Sequence, residues 1–309
     1  MAKEQFFHSE TPALFKKLEE LSRRSGVSRG HAFEDWLTAM VCALAAETKE
    51  AEYLSMVDRH KSGKPGKRGV DLMSQMFGEL VSAMDTLDAD ILGDLFQGAI
   101  THGEAGQYFS PESLARLLAE MTVDPEARGT ADKPLLINDP CCGTGRMLLE
   151  AAKVNPHLEL VGQDIDHRCA KITAINMGLR GRYGWVICGN SLSGETRFAY
   201  RIGSFFHESP NGLRRGLIRD VPVEQTPVPV ISERARRKTR ELFVNEETIA
   251  TKISQTKLHV IEVPPWLARL EPQFAAVERE SLEPPAEAAE HPKLSPEPES
   301  HPRKQQTLF

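Results

Sequence analysis

A chain of 309 residues, 40% apolar and 27% charged, holds material for about two globular domains. Its formal charge of −6 excludes binding of nucleic acid through bulk basicity and leaves only local patches for that purpose. Five cysteines (Cys42, Cys141, Cys142, Cys169, Cys188) without a CxxC pair speak against a disulfide framework or zinc site, and for a reduced, cytoplasmic setting.

The charged N-terminus lacks a signal-peptide core, and no apolar run approaches the roughly 18 residues of a membrane helix, so no membrane association is expected. The first hundred residues read as helices. "SETPALFKKLEELSRRSG" opens on two candidate caps, Ser9 and Thr11, sets Leu14, Phe15, Leu18 and Leu21 on one face, and stops at Gly26. "FEDWLTAMVCALAAETKEAEYLSMV" and "DLMSQMFGELVSAMDTLDADILGDLFQGAI" are longer periodic stretches, separated by the basic loop "HKSGKPGKRG". Together they predict a helical domain over residues 1–103.

From about residue 134 the period changes. "KPLLINDP" predicts a short strand and then a helix through Lys153. "LELVGQDID" predicts a second strand, "HRCAKITAINMGLRG" a second helix, and "GWVICGNS" a third strand. Such alternation predicts βαβ units and a parallel sheet, with a doubly wound arrangement as the default. After Ser191 the pattern degrades: "TRFAYRIGSFF" is a candidate fourth strand, "TPVPVIS" is interrupted by proline, and "KLHVIEV" is a late candidate. Residues 201–240 carry nine Lys/Arg against four Asp/Glu. The chain therefore divides into an α/β domain over 104–270, its second half degenerate, and a disordered Pro/Glu-rich tail over 271–309.

One stretch carries chemistry: "NDPCCGTGRMLLEA", residues 138–151. A turn from strand to helix presents unpaired N–H groups, and glycines let the backbone approach a ligand. Tight strand-to-helix turns also need glycine for structural reasons alone, so the surroundings decide. Gly143-Thr144-Gly145 is followed by Arg146, Met147 and Leu148; the third glycine of a dinucleotide site is missing. Asp139 at the strand end would repel a pyrophosphate and attract an ammonium. Asp164, 25 positions later at the next strand end, can accept hydrogen bonds from ribose hydroxyls. A ribose, an ammonium and no phosphate describe S-adenosylmethionine.

"GQYFSP" (106–111), "DPCCGTGRML" (139–148), "LVGQDID" followed by "INMGLRG", and "CGNSL" (188–192) resemble, in order and spacing, the N6-adenine DNA methyltransferases. Within them the chain looks most like the modification subunits of type I restriction-modification systems, over roughly residues 70–192. The resemblance implies an α/β fold: a Rossmann-like S-adenosylmethionine-dependent methyltransferase sheet behind an all-helical N-terminal domain. It implies that Gly106, Tyr108, Ser110 and Pro111 seat the cofactor's methionine end. Asp139, Pro140, Gly143, Thr144 and Gly145 would line its amino-acid part, and Asp164 would hold the ribose. Asn190, where the family usually has Asp, would lie near the adenine ring. Phe109 is expected to pack, and Cys141 and Cys142 to be small buried residues rather than reactive thiols.

The family holds an extruded adenine with Asn, Asp or Ser, then Pro-Pro and an aromatic. The polar side chain and a backbone carbonyl accept the N6 hydrogens while the ring stacks on the base. Two incomplete versions occur here. "SPNG" supplies Ser209 and Pro210, with Asn211 and Gly212 in place of the second proline and the ring. "VPPW" supplies Pro264, Pro265 and Trp266, but Val263 cannot accept a hydrogen bond and the motif comes late. Cofactor binding is thus better supported than catalysis.

The stretch after "CGNSL" is too short for a target-recognition domain, so the resemblance implies a partner specificity subunit on DNA. The basic segment 201–240 and "HKSGKPGKR" are candidates for gripping phosphates. The final "QQTLF" resembles the pentapeptide that docks bacterial proteins on the polymerase sliding clamp, through Gln305, Leu308 and Phe309. The chain reads as a DNA adenine-N6 methyltransferase. The alternative is a catalytically inactive scaffold or antirestriction protein that binds the cofactor or DNA. A nicotinamide dehydrogenase stands third, for want of the third glycine.

Overall fold

The computed structural model describes residues 6–101, 109–130, 133–209 and 212–227, all within one compact unit spanning Met1–Asn245. Gly106, Tyr108, Pro210, Pro264, Pro265, Trp266 and the end at Gln305, Leu308 and Phe309 lie outside the described residues. So do the "TPVPVIS" and "KLHVIEV" candidates beyond Pro227, and the tail.

Helix α1 (Thr11–Ser25) turns its Leu14, Leu18 and Leu21 inward and ends where Gly26 adopts φ 65°. Thr11 is not the cap. Glu10 occupies that position, while the Thr11 hydroxyl, fully buried, donates to Asp94 Oδ2 at 2.6 Å. Both longer periodic stretches are broken by a residue in the left-handed region. Ala46 (φ 55°) ends α2 (Arg29–Leu44) and leads through a 3-10 turn, Ala46–Lys49, into α3 (Glu50–Asp58). Asp88 (φ 47°) ends α4 (Gly69–Leu87) before α5 (Ile91–Phe96), which runs on into a π turn, Gln97–Thr101. Periodicity alone does not reveal such breaks, because the apolar faces continue across them. Helix α6 (Glu112–Thr122) follows.

The sheet contains β1 (Leu136–Asp139), β2 (Glu159–Asp164), β3 (Gly184–Asn190), β4 (Glu195–Ser209) and β5 (Gly212–Val221), side by side in that order. The first three are parallel and are linked by α7 (Arg146–Val154) and α8 (His167–Leu179). Right-handed crossovers that always step the same way put both helices on one face. The expected second winding is absent among the described residues: no strand flanks β1 on its far side. The candidate fourth strand instead folds back antiparallel on β3. Only four residues, Ser191 to Gly194, separate β3 from β4, with Gly194 at φ 67°. So short a link permits a hairpin and forbids a parallel crossover.

Helices and sheet share one core. A single cluster of buried apolar residues runs from Leu14 through Phe33, Trp36 and Phe96 to Leu148, Ile172, Val186 and Ile218. Residue 103 is therefore no boundary between cores. Phe33 stacks on Phe96 with centroids 5.6 Å apart, and Trp36 Nε1 donates to the Met73 carbonyl at 3.2 Å. Each such side chain is worth about 1.5–3 kcal/mol on burial. A small second cluster, Val161, Ile187 and Ala199, lies on the opposite face of the sheet. No helix among the described residues is long and apolar enough to cross a membrane.

Candidate functional site

The carboxyl ends of β1, β2 and β3 gather most of the expected site residues. After Asp139 the chain turns through Pro140 to Gly145, with Gly143 at φ 55° and Gly145 at φ 83° before the first residue of α7. Space is tight at both positions as well. A Cβ on Gly143 would come 3.1 Å from the Phe109 ring, and one on Gly145 would come 2.9 Å from Thr173 Cγ2.

The loop is pinned by polar contacts to the neighbouring strand and helix. Gly143 N–H donates to Asp164 Oδ2 at 2.8 Å, and Cys142 N–H to the Gln163 carbonyl at 2.9 Å. The Thr173 hydroxyl donates to the Gly143 carbonyl at 2.9 Å. Asp166 N–H takes the other oxygen of Asp164 at 2.8 Å. Asp164 is thus a brace for the loop as well as a carboxylate at the strand end. Asp139 is less occupied: among the described residues it accepts only the Cys141 N–H, at 3.1 Å on Oδ1. Burial raises both carboxyls above the ordinary carboxylate range; for Asp164 the N–H groups of Asp166 and Gly143 pull the other way. A half-buried carboxylate short of donors favours a cationic partner.

A cleft of about 360 Å³ opens beside Asp139, lined also by Ser110, Pro140, Cys141 and Met147. Ser110 and Asp139, far apart in sequence, therefore face one space. Pro111 caps the start of α6 close by. Asn190 closes β3, and its Oδ1 accepts from Leu192 N–H at 2.9 Å and Ser193 N–H at 3.2 Å. That acceptor is engaged in the turn that starts the β3–β4 hairpin. Phe109 packs edge-to-face on Phe96, centroids 5.8 Å apart.

Three expectations are corrected. Thr144 does not face the loop's mouth: it is 1% exposed, and its hydroxyl donates inward to Asp90. Cys142 is buried, but Cys141 is exposed, with Sγ 3.9 Å from Ser191 Oγ, because the turn around Asp139 lifts it outward. Ser209 does not join the site. Ile202 of β4 lies opposite Gly184, the first residue of β3, and Ser209 is seven residues further on, opposite Gly212 of β5. The register puts it beyond the amino ends of the parallel strands, at the other end of the sheet from Asp139.

Asp90 escaped the sequence reading. It is 2% exposed and caps α5 through Gly93 N–H, an ordinary-looking N-cap in "DADILGD". Its carboxylate also receives the Thr144 hydroxyl at 2.5 Å, Asn176 Nδ2 at 2.8 Å and Arg146 Nη2 at 3.3 Å. Arg146 in turn donates to the Ser110 carbonyl at 2.6 Å. One buried acid from the helical half thereby ties the glycine loop, α8 and the segment leading into α6. Its signal in the sequence was only a cap; its long-range partners are a product of the fold.

Residues 87–197 match the family model of the N-6 DNA methylases. A type I restriction enzyme MjaVIII methylase subunit from Methanocaldococcus jannaschii is 32% identical over 114 residues, which is 33% of this chain and 18% of that protein. The chain thus spans less than a fifth of the length of that curated relative. Over this segment it resembles N6-adenine methylases, and type I methylase subunits among them. Among solved structures, the type I restriction-modification system methyltransferase subunit from Streptococcus thermophilus aligns at 14% identity with a TM-score of 0.33. That alignment covers 58% of this chain and 57% of the other.

Proposed function

With residues 87–197 matching N-6 DNA methylases as its premise, we propose that the chain binds S-adenosylmethionine and serves methyl transfer to adenine N6 in DNA, alongside a specificity subunit. The observation that supports this most is the pair of half-buried carboxylates, Asp139 and Asp164, at the ends of adjacent parallel strands on either side of one glycine loop. The residues fit the cofactor's chemistry. Asp139, with its single backbone donor, would take the ammonium, and the cleft it shares with Ser110 and Pro140 would take the methionine chain, with Pro111 next to Ser110. Gly106 and Tyr108 would complete that end.

Gly143 and Gly145 let the backbone come close, and Asp164 would accept the ribose hydroxyls with the lone pairs its braces leave free. Asn190, whose oxygen is engaged, would offer Nδ2 to the adenine. When bound, the cofactor supplies an electrophilic methyl on a sulfonium. The role of this chain is to hold it oriented and to neutralise the ammonium.

A second reading, a cofactor-binding scaffold without transfer, is favoured by the position of Ser209 and, among the described residues, by the lack of a strand on the far side of β1. Two measurements separate the two readings. Calorimetry with S-adenosylmethionine should show binding that Asp139→Asn weakens at least tenfold; no uptake by the parent chain refutes both. Radiolabelled methyl transfer to adenine-containing duplex, with and without a specificity subunit, then decides for the enzyme or the scaffold.

A further inference from the structure

The basic loop between α3 and α4 is held in one shape. Lys67 N–H donates to the Lys64 carbonyl at 2.9 Å across Pro65-Gly66, with Gly66 at φ 82°. Proline first and a left-handed glycine second make a type II turn, whose ends, Lys64 and Lys67, lie within about 7 Å of each other. Val70 N–H closes the base of the loop on the His60 carbonyl at 3.1 Å. Arg24, at the end of α1, donates from Nη1 to the Lys67 carbonyl at 3.2 Å.

The loop stands at the same end of the molecule as the glycine loop. Helices α2 and α8 run side by side in one direction: Glu34 meets His167, and four residues on Thr38 meets Lys171. His167 opens α8 three residues after Asp164, so α2 starts at the carboxyl ends of the parallel strands. Asp35, beside Glu34, receives Arg59 and, at 2.8 Å, His60 Nε2 from just past the end of α3. The basic loop begins there. Two or three helix spacings of about 8–10 Å separate it from the glycine loop, less than the roughly 34 Å of one duplex turn.

Its charge is not compensated within the fold. Residues 58–71 carry five Lys/Arg against two Asp/Glu, in a chain of formal charge −6. Both acids are engaged, Asp58 with Lys61 at 2.9 Å and Asp71 with Arg68 at 2.7 Å, while Arg59 has Asp35. Lys64 and Lys67 are exposed and have no ion-pair partner among the described residues. Beside them, Arg23 and Arg24 share the carboxylate of Glu20. No large apolar side chain stands between Lys61 and Arg68. A protein interface centres on a desolvated apolar or aromatic anchor, and stable membrane anchoring takes an apolar insertion besides a basic patch. Unpaired lysines on a preformed turn, without such an anchor, suit a partner met through charge alone, which is the case for a phosphate backbone.

We propose that the Lys64–Lys67 turn grips phosphates of duplex DNA beside the cofactor end of the sheet, positioning the duplex without reading its bases. This rests on the reading above that DNA is what the chain serves. The test is fluorescence anisotropy of the full chain with unrelated duplexes of about two helical turns, between about 50 and 200 mM salt. The double variant Lys64→Ala, Lys67→Ala should weaken binding about tenfold, equally for every sequence, and lower the slope of log K against log salt by about 2. Each single variant should lower it by about 1, and the double variant Lys64→Arg, Lys67→Arg should keep the parent slope. Thermal melting and cofactor calorimetry should be unaltered throughout, because neither lysine is paired within the fold.

Parent affinity and slope in the double alanine variant would overturn the loop's role while leaving the DNA reading intact. Absence of duplex binding by the parent chain across that salt range would overturn both, with cofactor binding judged separately by calorimetry. Binding to vesicles of anionic lipid that the double alanine variant loses, with duplex affinity unchanged, would make the loop a membrane contact, and the proposal would fall.

Discussion

The Thr144 hydroxyl donates to Asp90 Oδ2 at 2.5 Å, joining the glycine loop to the first turn of α5. With Asn176, Gly93 and Arg146 on the same carboxylate, Asp90 is the counter-ion of a guanidinium that is 8% exposed as a residue. Removing one partner of a buried pair leaves the other charged and dry, which costs about 3–5 kcal/mol. Asp90→Ala should lose stability on that scale in denaturant titration and weaken cofactor binding through the loosened loop. Asp90→Asn keeps an acceptor and should lose less of both.

Gly145→Ala tests the loop itself. At φ 83° an L side chain costs about 1–2 kcal/mol. The added Cβ would also push on Thr173, whose hydroxyl holds the Gly143 carbonyl. Melting temperature and cofactor affinity should fall together. Gly78→Ala is the control: it sits inside α4 with nothing within 4 Å of the new Cβ, and should stabilise by about 0.5–1 kcal/mol.

Cofactor affinity should depend on pH through Asp139. Burial holds its folded pKa above the ordinary 3.8, so the carboxylate is lost at a higher pH than usual. Only the ionised form attracts an ammonium. Affinity should be full above the raised pKa and fall as pH drops through it, read by calorimetry between about pH 4.5 and 8. Asp139→Asn should bind weakly and without that decline.

A second carboxylate governs stability toward acid. Ser25 Oγ, His60 and Asp35 form a row, with His60 Nδ1 2.6 Å from Ser25 and Nε2 2.8 Å from Asp35. These are the residue types of a hydrolytic triad, but His60 is 1% exposed and serves to fasten α1, α2 and the end of α3. Burial raises the Asp35 pKa, yet the hydrogen bonds from His60 and Arg59 outweigh it, and the net value lies below 3.8. Its stabilising contribution is therefore present above the unfolded value and lost as pH falls through the folded one. Asp35→Asn should flatten the acid limb of a pH–stability curve, and His60→Ala should cost about 1–3 kcal/mol at neutral pH.

The parallel part of the sheet and its loop were legible because each step is local: "LLIND", two glycines and an amphipathic helix each announce themselves within a few residues. Asp139, Gly143, Gly145 and Asp164 were singled out by that route, and the structure sets them at the ends of β1 and β2 and in the loop before α7. The direction of β4 was not legible, since an apolar run says strand without saying parallel; the four-residue link before it decided the matter. That misreading also carried Ser209 to the wrong end of the sheet. Asp90 was missed for the opposite reason. Its local appearance is complete as a helix cap, and its three distant partners, Thr144, Arg146 and Asn176, lie 54 to 86 positions away.

Part of the support of the glycine loop comes from before residue 104. Asp90 caps α5, and the Phe96 ring behind Phe109 ends it. Excising residues 104–227 would therefore yield no minimal nucleoside-binding fragment. Such a piece would carry the strands and the turn but expose the inner sides of α7 and α8, and it should aggregate or melt. Any transplantation of this site into another scaffold must take the α5 turn with it.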